Sequence, residues 1–190
     1  MSIGKHVEAS EWYAKSVTLC EQLFDELHPQ LIHTLNALGN SLLLKGDFEE
    51  AIQYFNKVAD IQIKEKDTNY LITAHNIACV EFKRGNCREA FIGILANLKT
   101  IHDSPNYFTP NLLAATYETL GKICEKMPSF GDPIKWYRSA FDCFFDTYGG
   151  GHPNTIKAWD NIFVYYKRKR DYLNCIKWVL RFRLSKIKKL

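Results

Sequence analysis

A self-repeat of about forty residues constrains this chain more than any other feature, because a chain of repeats stacks one small unit many times instead of building a single knotted core. In the segment Leu35 to Ile61, a Leu38-Gly39 pair is followed by Gly46-Asp47-Phe48-Glu49-Glu50-Ala51-Ile52 and Phe55. A shift of 39 residues lays Gly85, Glu89 and Ala90 on Gly46, Glu50 and Ala51, with Ile77-Ala78 on Leu38-Gly39. A further 43 lays Leu120-Gly121 on that pair, Phe130 on Phe48, Tyr137 on Phe55 and Ala140 on Val58. Another 42 lays Trp159, Ile162, Tyr172 and Cys175 on Leu35, Leu38, Phe48 and Ala51. Upstream, Ala9, Tyr13 and Ser16 occupy second-half positions, and His28-Pro29 precedes Leu31 as His152-Pro153 precedes Thr155, so the chain opens with half a repeat.

Each copy reads as two helices. Leu31, Leu35, Leu38 and Leu42 recur at helical spacing, Gly46-Asp47 interrupts, and Ala51, Phe55, Val58 and Ile61 resume the period. Gly46 suits a left-handed C-terminal position, and Asp47 is placed to cap the next helix, with Glu49 and Glu50 favouring its dipole. In the third full copy Asp132-Pro133 moves the start of the second helix by about one turn, since proline is tolerated at the first helical position and not further in. Small residues at Gly39, Ala51, Ala78, Ala90 and Gly121 let helix backbones approach, and Phe48, Phe55, Tyr137 and Tyr172 are expected to fill the gaps between hairpins.

These positions resemble the tetratricopeptide repeat, whose pattern places Trp, Leu, Gly and Tyr on the first helix and Ala, Phe and Ala on the second. Leu38-Gly39 to Val58 is the best copy, Trp159 supplies the family Trp in the last, and the resemblance spans residues 8 to 187. The long repeats and His-Pro openings are most similar to those of kinesin light chains. Ala78 and Phe163 replace the family Gly, Glu81 its aromatic, and Pro133 and Cys175 its Ala. The fold implied is all-α, a right-handed superhelical solenoid of tetratricopeptide-like hairpins with about nine helices. The expected division of this single domain is a second helix over 8–27, then repeats over 28–66, 67–104, 105–151 and 152–190, the last with a basic C-terminal helix.

By the same resemblance, first-helix positions line a concave groove that holds a partner's peptide, which makes the chain a non-catalytic adaptor or scaffold. Those positions are His33, Asn36, Asn40 and Leu43 in the first full copy, and His75, Asn76, Cys79, Phe82 and Lys83 in the second. Glu118, Lys122, Glu125 and Lys126 follow in the third, then Lys157, Asp160, Asn161, Val164, Lys167 and Arg168 in the fourth. Asn40, Asn76 and Asn161 can each donate and accept, which suits an extended backbone. Phe82 either gives an apolar pocket wall or packs between hairpins, His75 is a further groove position, and Lys83, Lys122, Lys126 and Arg168 would draw acidic side chains. The family's carboxylate clamp is not expected, because Asn36, Ala115 and Thr119 stand where its cations belong.

Charge is uneven: residues 157–190 hold 11 Lys and Arg against 2 Asp, whereas the whole chain has a net charge of only +4. Lys167-Arg168-Lys169-Arg170 sits at the last hairpin turn, and Arg181, Arg183, Lys186, Lys188 and Lys189 follow beside Trp178, Leu180, Phe182 and Leu184. This end suits either a polar cap on the stack or, as the alternative function, binding of RNA or an anionic lipid surface by counterion release. No apolar run approaches the roughly 18 to 20 residues of a membrane span. The six scattered cysteines form no C-x-x-C pair and read as reduced structural thiols. A cytoplasmic protein is expected. No phosphate-loop, zinc-protease or nucleophile-elbow motif occurs, Cys79 and His75 form the one Cys-His pair a helical turn apart, and no catalytic residue, metal or cofactor is expected.

Overall fold

The computed structural model describes the backbone of residues 3–103 and 109–187 and the side chains of residues 6–103 and 109–182. The basic residues Arg183, Lys186, Lys188 and Lys189, Leu184, and the expected repeat boundary at 104/105 lie outside the described side chains. Among the described residues there are nine α-helices and no strand: α1 Ile3–Leu23, α2 Pro29–Lys45, α3 Phe48–Lys64, α4 Tyr70–Arg84, α5 Cys87–Asp103, α6 Pro110–Lys126, α7 Pro133–Tyr148, α8 Pro153–Arg168 and α9 Tyr172–Ile187. In chain order α1 precedes the helix pairs α2/α3, α4/α5, α6/α7 and α8/α9.

The chain divides into two compact units, Met1–Asn97 and Leu98–Leu190. In the first, α1 packs on α2, α2 on α3 and α3 on α4. Its core joins Val17 and Cys20 of α1 to Leu31, Leu35, Leu38 and Leu42 of α2, Ala51, Phe55 and Val58 of α3, and Val80 of α4. The small-against-large pairing is literal: a Cβ on Gly39 would lie 2.9 Å from the Phe55 ring. Buried amides add directional ties. Asn97 Nδ2 donates to the Leu71 carbonyl at 3.2 Å, and Thr73 Oγ1 donates to Gln62 Oε1 at 2.7 Å.

The second unit packs α6 on α7, α7 on α8 and α8 on α9. Its core is richer in aromatics, with Tyr137, Phe141, Phe144, Tyr166 and Trp178 closing around Ala114, Ala158 and Ile162. Phe141 meets Trp178 edge-on at 5.1 Å between ring centroids, a preferred aromatic geometry. A Cβ on Gly121 would come within 2.5 Å of the Tyr137 ring, so the Gly39–Phe55 arrangement recurs here.

The X-Pro openings have a shared physical cause. Proline fills the first helical position, where no backbone N–H is needed, and the preceding side chain caps the helix. His28 Nδ1 accepts from Gln30 N at 3.2 Å and His152 Nδ1 from Asn154 N at 3.2 Å. Each imidazole also stacks on an aromatic four residues upstream, His28 on Phe24 at 3.9 Å and His152 on Tyr148 at 4.4 Å. Thr109 and Asp132 cap α6 and α7 in the same way, accepting from Leu112 N and Ile134 N. Gly46 and Gly85 close α2 and α4 in the left-handed conformation, with φ of 103° and 105°.

Three expectations are corrected. Asp47 precedes α3 without a side-chain cap; its carboxylate is drawn instead to Lys45 Nζ at 2.6 Å. Tyr172 does not fill a gap: it is 63% exposed, because α9 turns Cys175 and Trp178 to the core. Over its described residues the outer face of α9 is not wholly polar either, since Leu173, Ile176 and Leu180 are exposed on it.

Candidate functional site

In the first unit, the N-terminal halves of the first helices α2 and α4 flank a cleft of about 550 Å³. Pro29, Ile32, His33 and Asn36 of α2 form one wall, Ile72 and Thr73 of α4 the other, and Gln62, Glu65, Asp67 and Asn69 the end. That end is fixed by hydrogen bonds: Asp67 Oδ1 accepts from both the backbone N and the Nδ2 of Asn69, at 2.9 and 3.0 Å. Asn36 Oδ1 is buried in the wall with no hydrogen-bond partner. A buried carbonyl left unmatched costs about 1–3 kcal/mol, which is recovered if the amide turns outward to meet a donor in the cleft.

The other expected groove residues of this unit lie further along the same helices. Asn40 and Lys83 are exposed, and Asn76 and Phe82 are half-buried. His75 is in the core at 9% exposed, with Nε2 3.4 Å from Cys79 Sγ. Its spacing from Leu71 and Ala78 puts it on the buried stripe of α4.

In the second unit the corresponding faces, α6 and α8, carry a charge network. Lys122 Nζ pairs with Glu118 Oε1 at 2.7 Å one turn away on α6. Burial alone would raise the Glu118 carboxyl, but the Lys122 hydrogen bond, the Lys122 and Lys157 charges and the Asn161 amide hold it below its usual value. One turn on, Arg168 grips Glu125 with both terminal nitrogens, at 2.8 and 3.3 Å. Glu125 Oε2 also accepts from the Tyr137 hydroxyl at 2.9 Å. Burial, and then the Glu125 charge, push the Tyr137 phenol far above its ordinary value, so it stays a donor. Lys122, Asn161 and Arg168 thus come together, but their charge is already answered by Glu118 and Glu125. Lys126 is exposed at the end of α6.

The depressed Glu118 carboxyl gives a pH prediction. A group whose folded pKa lies below its ordinary 4.5 contributes stability above that pH and loses it as pH falls through the folded value. Glu118→Gln should therefore melt below the native protein at neutral pH, and the two melting curves should converge in acid. Thermal denaturation followed from neutral to acidic pH measures this.

The basic run is not one uniform patch. Lys167, Arg168, Lys169 and Arg170 are all exposed, but Arg168 is turned to Glu125 and the Lys169 ammonium lies 5.9 Å from the centre of the Tyr165 ring. Arg170 holds the turn with φ of 56°.

Sequence reasoning missed a second cleft, about 570 Å³, formed in the second unit by Ile101, His102, Pro110, Leu113 and Tyr117 against Ser139, Asp142, Cys143, Asp146 and Thr147 of α7. Burial raises both the Cys143 thiol and the Asp142 carboxyl, the latter opposed by Arg181. Second-helix residues supply most of its polar lining, so the first-helix pattern gave no signal for it.

A family model for the tetratricopeptide repeat matches residues 1–64. No curated protein matches the sequence. Among solved structures, the nearly identical TPR-like repeats of a Podosopora anserina kinesin light chain superpose with a TM-score of 0.69 at 15% identity, covering 98% of this chain and 89% of that one. BtubC (BKLC) from P. vanneervenii gives 0.70 at 14%, covering 98% and 75%, and the apo form of RapI gives 0.73 at 12%, covering 97% and 65%. At these identities the likeness is one of fold.

Proposed function

Since residues 1–64 carry the tetratricopeptide repeat and the described chain has the fold of such solenoids throughout, we propose that this protein is a non-catalytic scaffold whose first-helix faces hold an extended segment of a partner protein. A protein-interaction role follows from the fold class, because hairpin stacks present long exposed helix faces. The observation that carries the finer reading is Asn36: its side-chain amide stands in the wall of an open cleft with its carbonyl unmatched, and turning outward lets it accept a partner's backbone N–H. His33, Asn40 and Asn76 continue the polar face. Backbone capture leads over charge in this reading, because an acidic partner side chain reaches Lys122 or Arg168 only in competition with Glu118 or Glu125.

The alternative, RNA or an anionic surface held by Lys167, Lys169 and Arg170, is supported by their exposure at one turn and predicts binding that falls steeply with salt. Among the described residues no helix is long and apolar enough to cross a membrane. The six unbridged cysteines support a reducing compartment, and we place the protein in the cytoplasm.

The test is selection of peptides from a random library on the purified chain, followed by calorimetry. Asn36→Leu should weaken the best peptide about tenfold, the worth of one well-made hydrogen bond to a buried group, with helical circular dichroism unchanged. Peptides that bind Asn36→Leu, Asn40→Ala and Asn76→Ala as tightly as the native chain would overturn the reading.

A further inference from the structure

Among the described residues, an exposed apolar face on α1 and another on α9 stand outside the peptide-holding reading, one in each unit. On α1, Trp12, Leu19 and Leu23 are 66%, 55% and 64% exposed, and their spacing of seven and four residues aligns them along one stripe. On α9, Tyr172, Ile176 and Leu180 form a second stripe with Leu173 at its edge, each more than half exposed. Exposed large apolar residues scattered singly need no explanation, but contiguous stripes mark interaction sites.

The two stripes differ in shape. The α9 face is concave: with Phe163 of α8, Tyr172, Cys175, Ile176, Val179 and Leu180 line a wholly apolar hollow of about 340 Å³. The α1 face presents a large aromatic knob, Trp12. Aromatic side chains seated in apolar pockets are the usual anchors of protein interfaces.

Their charges are opposite as well. Residues 8–26 carry Glu8, Glu11, Glu21, Asp25 and Glu26 against Lys15, which lies 5.0 Å from the centre of the Trp12 ring. Residues 167–182 carry six Lys and Arg, against Asp171. Of these groups Glu21 is engaged by Lys57, Arg168 by Glu125 and Arg181, at 4.0 Å, by Asp142. The remainder leave an acidic surround on the knob and a basic surround on the hollow. Such complementarity fixes register and speeds encounter more than it adds affinity.

We propose that the hollow on α9 receives the Trp12 face of a second copy of this chain, giving a head-to-tail association through two different surfaces. Such a heterologous contact uses one knob and one hollow per link, and leaves an unused knob and an unused hollow on every pair. The contact is independent of the first-helix cleft, so it stands or falls apart from the peptide-holding function.

Sedimentation velocity of the full chain over a wide concentration range is the experiment. The native chain should grow in mass with concentration, less so at high salt. Trp12→Ala and Ile176→Asp should each weaken self-association about tenfold or more. Both positions are exposed, and circular dichroism confirms that each variant keeps its helices; Leu180→Asp replaces Ile176→Asp if it does not. The decisive arm mixes the variants: Trp12→Ala keeps an intact hollow, Ile176→Asp an intact knob, and the mixture should form a one-to-one pair that grows no further. A native chain that stays monomeric throughout would overturn the proposal. So would Trp12→Ala associating as well as the native chain, because the hollow would then be taking some other surface.

Discussion

Replacing Gly121 by valine should destabilise the second unit by about 3 kcal/mol, the upper part of the range for overpacking a tight core. The space for even one carbon is missing, since a Cβ there would stand 2.5 Å from the Tyr137 ring. The ring has little freedom to retreat: it is 3% exposed, and its hydroxyl is held by Glu125, itself gripped by Arg168. Valine forms helix slightly better than glycine, but that gain of a few tenths of a kcal/mol does not offset the collision. Chemical denaturation measures the loss. Coupling gives the sharper readout, because Gly121→Val combined with Tyr137→Ala should cost less than the two single losses added together. Strict additivity would mean that glycine is not there to admit the ring.

Phe55→Ala should cost about 4 kcal/mol in the first unit, the usual range for emptying a fully buried phenylalanine site. Phe55 is 0% exposed and lies against the bare backbone of Gly39, where no side chain can swing in to fill the space. Against the roughly 5–15 kcal/mol that holds an ordinary domain together, this is a large share. The midpoint of the denaturation curve should move far to lower denaturant. A shift under about 1 kcal/mol would show that the α2–α3 contact does not depend on this ring.

These sites were legible in the sequence because the repeat wrote them twice. Gly39 with Phe55 and Gly121 with Tyr137 recur in register, and a position that must be small beside one that must be large leaves a mark in each copy. The X-Pro helix starts were legible for a similar reason, since proline has few places to sit in a helical hairpin. What the sequence could not show was which polar groups find each other between helices. Arg168 and Glu125 lie 43 residues apart, so the ion pair that answers the expected basic groove has no local signature. Asp47 had two partners within reach, the α3 backbone and Lys45, and helix-start statistics favour the wrong one. His75 could have been placed in the core, because its spacing from Leu71 and Ala78 follows the buried stripe. Tyr172 could not, because α9's rotation is set by Cys175 and Trp178 against the aromatic core of α7 and α8.

The most direct test of the scaffold reading is a nitrogen–proton correlation spectrum of the labelled chain, recorded as a selected peptide is added. Backbone capture at the first-helix faces predicts that the largest shifts fall on α2 and α4 around the Asn36 cleft, with the Asn36 side-chain amide among them, and then on α6 and α8. Shifts confined to the second helices α3, α5 and α7, or to the turn at Lys167–Arg170, would contradict it.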